Sequence, residues 1–457
     1  MWQDNVIETN PNKTYNLSKN PILEADSYKY VHNEVYPEGS TNNYSYVEPR
    51  VKGKVIVPFG LSMWVKDNLS QPITQDNILE AEDIINSHGE TFNREGWEYI
   101  LKEYGGYLPL KIRGIPEGMR VPSATAIASC VVTDTSGKLA WLSSFGETSF
   151  QRGIWYPTTI ASQDYENYMT LKWFYDHGSD NPDALMFALH SFASRGVSSR
   201  ETAMIGGIAH LLYFRGTDDV VALRGARKFY DCPMAGFSVR ATEHSVQCSY
   251  GPSDADQDRY FQTIIDKWGR PGQIASVVMD GYDIYRETER LRKFKDQIIA
   301  SGMKWVVRPD SGDMFEVVPR IFEILDSIFG HTVNSKGKKV LNNVAVIQGD
   351  GINHTTAGML MQKVYDLGWA PENLVLGSGG GLLQKVDRDT YSFAQKTSAI
   401  EIDGKWIDVV KAPITDSGKK SKGGFQDSPD FVTYYENGKI LYSPTLDEIR
   451  ARATEGL

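Results

Sequence analysis

Between Ile274 and Gly381 one pattern returns four times: a short apolar run breaks off in Asp, Gly or Ser. The runs are A-S-V-V-M-D-G from Ala275, W-V-V-R-P-D-S-G from Trp305, V-A-V-I-Q-G-D-G from Val344 and L-V-L-G-S-G-G-G from Leu374. Amphipathic segments separate them. Between Met314 and Ile328, Phe315, Val318, Phe322, Leu325 and Ile328 recur at helical spacing. Continuous β-branched runs alternating with such helices predict buried parallel strands in βα units. Ligands of these folds bind beyond the carboxyl ends of the strands, so the Asp, Gly and Arg residues there form one candidate site.

The βα rhythm begins earlier than the clear repeats. Leu185 to Phe192 and Leu211 to Phe214 are strand candidates, and Gly236 to Val239 starts a third that runs toward Glu243-His244-Ser245. Helices are predicted from Ser199 to His210 and from Val220 to Tyr230. The total of about seven strands favours an irregular parallel β/α barrel, with an open doubly wound sheet as the alternative.

Before the barrel the pattern is mixed. Asn43 to Glu48, Lys54 to Pro58, Leu110 to Ile115 and Ala126 to Thr133 read as strands, and Ile78 to Ser87 and Arg94 to Tyr104 as helices. Trp141 to Phe174 reads as a helical passage into the barrel. After Gln384 the rhythm stops, and short strand-like pieces such as Ala394 to Ile402 and Phe431 to Glu436 resemble the N-terminal part. The fold class is therefore α/β, a barrel plus an α+β domain with an antiparallel sheet. The expected division is 1–160 for the α+β domain, 161–393 for the barrel and 394–457 for a returning segment that completes the first sheet.

A chain of 457 residues with 41% hydrophobic and 23% charged residues is an ordinary globular protein. Its formal net charge of −10 disfavours nucleic-acid partners, while a local basic pocket for a small anion stays open. Cys130, Cys232 and Cys248 are scattered, with no metal-binding or disulfide spacing, as suits a reducing, cytoplasmic compartment. The polar first 25 residues lack the apolar core of a signal peptide, and no run is long enough for a membrane span. The segment Asp416 to Gly424 reads as a basic, flexible loop.

At the strand ends, Gly377-Ser378-Gly379-Gly380-Gly381 lets backbone N–H groups converge on an anion, or serves as a plain connection. It matches neither of the usual glycine-rich nucleotide motifs. Arg308-Pro309-Asp310-Ser311-Gly312 offers a guanidinium for a phosphate and a carboxylate for Mg²⁺ or a ribose hydroxyl, or else a structural Arg–Asp pair. Asp280 and Gly349-Asp350 add acid nearby, and neighbouring carboxylates repel unless a cation or a sugar uses them. Glu243-His244 is either structural or a base and phosphoryl acceptor. Asp218-Asp219 looks like the acidic pair of common phosphoribosyl-diphosphate motifs but lacks the Thr-Gly that follows there.

Taken together, these stretches resemble the nicotinamide phosphoribosyltransferases of the type II phosphoribosyltransferase family. The matching motifs run nearly end to end: D-S-Y-K from Asp26, Y-S-Y-x-E-x-R to Arg50, G-W-x-Y-I-L from Gly96 and R-G-V-S-S-x-E-T-A from Arg195. G-T-D at Gly216, A-x-E-H-S at Ala241, D-x-Y-D-I-Y at Asp280, R-P-D-S-G at Arg308, Q-G-D-G at Gln348 and G-S-G-G-G-L-L-Q-K at Gly377 complete the set. The resemblance implies transfer of phosphoribosyl from phosphoribosyl diphosphate to nicotinamide, with Mg²⁺. It implies also a homodimer with shared active sites, and ATP hydrolysis coupled through a phosphohistidine.

Carried onto this chain, the resemblance implies that Phe192 and the partner subunit's Tyr28 sandwich the pyridine ring. Asp218 then accepts from the carboxamide, and its charge rejects nicotinic acid. Arg195, Ser276 and Arg308 line the ring and ribose region, with His190 and Val239 bordering the entry channel. Asp310, Gly349 and Asp350 contact the ribose and its 5′-phosphate, and Gly379 and Gly380 supply backbone donors. Arg50, Arg388, Lys396 and Lys411 bind phosphates, some across the dimer. His244 takes the phosphoryl group, supported by Glu243 and Asp280, with Asp280 and Asp310 as candidate Mg²⁺ carboxylates.

The chain departs from the family pattern in places. H-S-F-A-S-R-G from His190 stands where the family usually reads H-D-F-G-Y-R-G, so Ser191 and Ser194 replace an acid and an aromatic. Arg240 replaces a usual Pro. A nicotinate phosphoribosyltransferase, and a non-catalytic binding or signalling protein on the same fold, are the competing expectations.

Overall fold

The computed structural model describes residues 19–415 and 420–457. The polar stretch read as lacking a signal peptide falls mostly outside the described residues, as do the first residues of the basic loop.

The four repeats are strands Ile274–Val278, Lys304–Arg308, Val344–Gln348 and Leu374–Ser378. They pair in parallel and are almost wholly buried, which is why they read as unbroken apolar runs. The helix Met314–Phe329 between two of them buries Val318, Ile321, Phe322, Leu325 and Ile328. Asp313 caps its start by accepting from the Phe315 N–H, and Gly330 stops it with φ +73°.

The full sheet has seven strands. Leu374–Ser378 continues through Leu189–Ser191 to Gly216–Thr217 on one side, and Ile274–Val278 pairs with Arg240–Ala241 on the other. A parallel bridge from Gly216 to Phe237 joins the two ends, with the Phe237 N–H donating to the Arg215 carbonyl at 2.7 Å. The sheet therefore curls back on itself as a barrel, against the open-sheet alternative.

Three early strand assignments shift. Pro182–Phe187 is a 3-10 turn opened by its proline, leaving only Leu189–Ser191 extended. Leu211 to Phe214 is a buried turn, and the strand is Gly216–Thr217 just beyond it. An apolar run of that length is buried whichever conformation it takes, so its pattern does not separate the two. The strand expected at Gly236 is the short Arg240–Ala241, with only the Phe237 bridge ahead of it. His244, expected at a strand end, opens the helix His244–Tyr250.

The second sheet is antiparallel and joins both chain ends. Ser40–Pro49 lies between Phe393–Ile402 and Ala128–Val132, and Leu110–Gly114 lies between Ala128–Val132 and Val432–Glu436. The helix Glu147–Gly178, 32 residues and about 48 Å long, ties the sheets together. Its Phe150 and Ile154 belong to the core under the antiparallel sheet, and its Ile160, Leu171 and Phe174 to the barrel core.

Candidate active site

A cavity of about 620 Å³ runs along the barrel axis. Lys304 and Arg308, the first and last residues of one strand, both line it, so it extends the full height of that strand. Apolar walls come from Phe192, Val306, Ala345, Ile347 and Val375, and polar groups from His190, Asp218, Ser238, Ser276 and Arg308. This is the usual composition of a small-molecule site, a greasy slot with a few placed polar groups.

Phe192 follows the Leu189–Ser191 strand, and its N–H donates to the Ser378 carbonyl at 2.8 Å. Its ring centroid lies 4.7 Å from that of His190. Asp218 faces the same space: His190 Nε2 lies 3.0 Å from its Oδ1, and the Ser238 hydroxyl donates to the same oxygen. Burial pushes the Asp218 carboxyl up, but these hydrogen bonds and the Arg308 charge outweigh it and hold the pKa below the ordinary value. Asp218 is therefore an anion at neutral pH.

Two buried groups on the cavity wall have no protein partner, the Ser276 hydroxyl and Arg308 Nε. Unpaired buried donors are rare, and both of these belong to residues that line the cavity. Neighbouring strand ends carry the acids. Burial raises the Asp310 pKa; Arg308, with Nη2 3.6 Å from Asp310 Oδ2, opposes the rise, while Asp280 adds to it. The turns that follow need glycine: Gly312 and Gly351 sit at φ +85° and +74°.

His244 stands beside this acid cluster, with Nε2 2.9 Å from Asp280 Oδ1. Asp280 Oδ2 meanwhile accepts from the Asp310 N–H at 2.9 Å and the Ser311 hydroxyl at 2.6 Å. A carboxylate only accepts, so Nε2 carries the hydrogen in this contact and Nδ1 stands outside it. Glu243 was expected to support His244; its carboxylate instead takes the Ser245 hydroxyl, beside the helix start.

The glycine loop follows Leu374–Ser378 and turns at once into the single helical turn Gly380–Leu383. A Cβ on Gly380 would strike the Gly196 carbonyl at 2.6 Å, whereas one on Gly379 would meet nothing within 4 Å. Gly380 thus packs against the Arg195-Gly196 turn, and Gly379 faces open space. A Cβ on Gly349 would lie 2.3 Å from Asp310 Oδ1, so that glycine admits the carboxylate.

Other candidates lie elsewhere. Arg50, Arg388, Lys396 and Lys411 belong to the antiparallel sheet and its flanking loops. They form one basic group: burial lowers the Lys396 pKa, and the charges of Arg50, Lys411 and Arg388 lower it further against Glu147. Tyr28 is 54% exposed on the 3-10 helix Ser27–Glu34. Neither the basic group nor Tyr28 lines this chain's own cavity. Among the described residues no cluster of three His, Cys, Asp or Glu forms a ready metal centre. Both Asp280 oxygens are taken by protein donors, so Asp310 is the better placed of the two Mg²⁺ candidates.

The sequence alone singles out neither Ser238 nor the role of Asp219, which reads only as half of an acidic pair. Its carboxylate faces away from the cavity and accepts from the Ser191 hydroxyl at 2.5 Å and the Ser194 N–H at 2.8 Å.

Residues 187–438 match the sequence model of the nicotinate phosphoribosyltransferase (NAPRTase) family, and residues 20–112 match that of the nicotinamide phosphoribosyltransferase N-terminal domain. The chain is 42% identical to the nicotinamide phosphoribosyltransferase of Xanthomonas campestris pv. campestris, over 95% of this chain and 98% of that protein. It is 30% identical to the protein of the same name from Acinetobacter baylyi, over 96% and 98%. Its fold is similar to the crystal structure of nicotinate-nucleotide pyrophosphorylase from Pyrococcus furiosus, with TM-score 0.59, 12% identity and 97% of each chain covered. It is also similar to human nicotinic acid phosphoribosyltransferase, with TM-score 0.55, 13% identity and 94% and 92% coverage.

The matched family and the barrel site define a class, the phosphoribosyl-transferring pentosyltransferases. Within that class the chain belongs to the nicotinamide phosphoribosyltransferase family.

Proposed function

We propose that this enzyme joins nicotinamide to the ribose of phosphoribosyl diphosphate, giving nicotinamide mononucleotide and pyrophosphate for NAD salvage. The observation that carries the choice of base is the anionic Asp218 in the aromatic cavity. A carboxylate there accepts from a carboxamide NH₂ and repels a carboxylate ligand. Phe192 stacks on the flat ring, and Ser276 and Arg308 donate to the ligand.

The transition state develops positive charge on ribose C1 as pyrophosphate leaves. Asp310 and Asp350 near the sugar stabilise that charge, while cations near the diphosphate stabilise the leaving group. Asp310 would hold a Mg²⁺ ion here, and such an ion would neutralise the charge of the diphosphate. Asp280 has a different task. It orients His244 so that Nδ1 attacks the γ-phosphorus of ATP: the N–P bond forms, the bond to the bridging oxygen breaks, and ADP leaves.

The basic group of Arg50, Arg388, Lys396 and Lys411 supports a homodimer in which each copy lays these cations across its partner's strand ends. Exposed Tyr28 closes the partner's aromatic slot in the same arrangement. The protein works in the cytoplasm, and the 1–160, 161–393 and 394–457 division separates the sheet that binds across the dimer from the catalytic barrel. Among the described residues no helix is long and apolar enough to cross a membrane.

The test is a rate comparison of nicotinamide and nicotinic acid as acceptors, each with and without ATP. Equal turnover of both bases overturns the reading of Asp218, and absence of any mononucleotide product overturns the catalytic reading. An ATP-independent rate overturns the coupling alone.

A further inference from the structure

Asp219 occupies the N-cap position of the helix Val220–Tyr230 yet makes no cap hydrogen bond to it. Aspartate at an N-cap ordinarily accepts from the first turn of its helix. Here both oxygens serve another segment: Oδ2 takes the Ser191 hydroxyl and Oδ1 the Ser194 backbone N–H. The side chain is 1% exposed, so these two hydrogen bonds form away from water and fix the turn between residues 191 and 194. That turn contains Phe192. Asp218, the preceding residue, donates its backbone N–H to the Ser191 carbonyl at 2.9 Å and turns its own carboxylate into the cavity. Adjacent carboxylates thus face opposite sides of one strand end, one toward the ligand and one behind the ring.

We propose that Asp219 is a positioning residue for Phe192, holding the turn that carries the ring through the Ser191 hydroxyl and the Ser194 N–H. Exchanging the two side chains would keep this buried hydrogen bond with donor and acceptor reversed. The proposal rests on the reading of Phe192 as the stacking ring.

The experiment measures kcat and KM for both substrates, with thermal melts, on full-length Phe192→Ala, Ser191→Ala, Asp219→Ser and the exchange Ser191→Asp/Asp219→Ser. Losing a hydrogen bond to a charged, buried group should raise KM for nicotinamide about tenfold in Ser191→Ala, and more in Asp219→Ser. KM for phosphoribosyl diphosphate should stay unchanged, and the exchange should restore much of the loss. If Asp219→Ser does not fold, Ser191→Ala and the exchange still carry the test. An exchange no better than Asp219→Ser, or a rise in both KM values together, assigns Asp219 a purely structural role and overturns the proposal. If Phe192→Ala leaves KM for nicotinamide unchanged, the stacking role itself fails. If Phe192→Ala raises it while the 191 and 219 variants do not, only the positioning role fails.

Discussion

Gly377 and Phe192 are matched to each other: a Cβ on the glycine would lie 2.1 Å from Cε2 of the ring. No rotation of a methyl relieves such an overlap, so Gly377→Ala must push the ring from its place. Overpacking of this kind costs about 1–3 kcal/mol. With the loss falling on ring stacking, KM for nicotinamide should rise about tenfold. Initial-rate measurements at saturating phosphoribosyl diphosphate check this, and an unchanged KM would remove Phe192 from the binding slot.

Asp218→Asn should lower the preference for nicotinamide over nicotinic acid by at least about tenfold, because opposing like charges in a site costs several kcal/mol. The pH dependence has a definite sign. Because the folded-state pKa of Asp218 is depressed, its charge persists through and above the ordinary carboxylate range and is lost only as pH falls below it. Selectivity of the parent enzyme, read as the ratio of kcat/KM values, should therefore be flat from weakly acidic to neutral pH.

His244→Ala should abolish acid-labile phosphate on the protein after incubation with radiolabelled ATP, and ATP should no longer raise the rate. Asp280→Asn should lower phosphate incorporation by at least about tenfold, since it removes the charged acceptor that orients the imidazole. Undiminished labelling of His244→Ala would move the phosphorylated residue elsewhere.

Glu117 is fully buried in the turn after the Leu110–Gly114 strand, where Ser62 and Tyr230 donate to Oε1 and Oε2 has no partner. Burial lifts its pKa from 4.5 to about 7, against the opposing hydrogen bonds. A raised folded pKa means stability present below pH 4.5 and lost as pH climbs through about 7. The loss should be about 3 kcal/mol at most. Urea unfolding of Glu117→Gln across this range should show a flatter profile, with the variant gaining on the parent at alkaline pH.

The repeats from Ile274 onward were legible because strands buried on both faces leave continuous apolar runs and end where chemistry begins. The first half of the barrel was not, since Leu189–Ser191, Gly216–Thr217 and Arg240–Ala241 are too short to show a period. Asp218 and Arg308 stand out in their motifs, whereas Ser276 is singled out only by the family resemblance. Asp219 could not be given its role, because an aspartate before a helix looks like a cap until its oxygens are seen turned away. The Ser245 partner of Glu243 is equally hidden, since adjacency to His244 in the chain says nothing about which donor its carboxylate meets.

The strand Ser40–Pro49 has the segment Phe393–Ile402 as one of its two neighbours, and Leu110–Gly114 is likewise flanked by Val432–Glu436. During synthesis on a ribosome the barrel residues therefore emerge, and can begin to assemble, while the first sheet still waits for its last members. That delay leaves strand edges bare until residues 393–436 have been made, and bare edges are open to pairing with other chains. A stop codon anywhere between the last barrel strand and Glu436 would leave the earliest-made part of the protein unfinished.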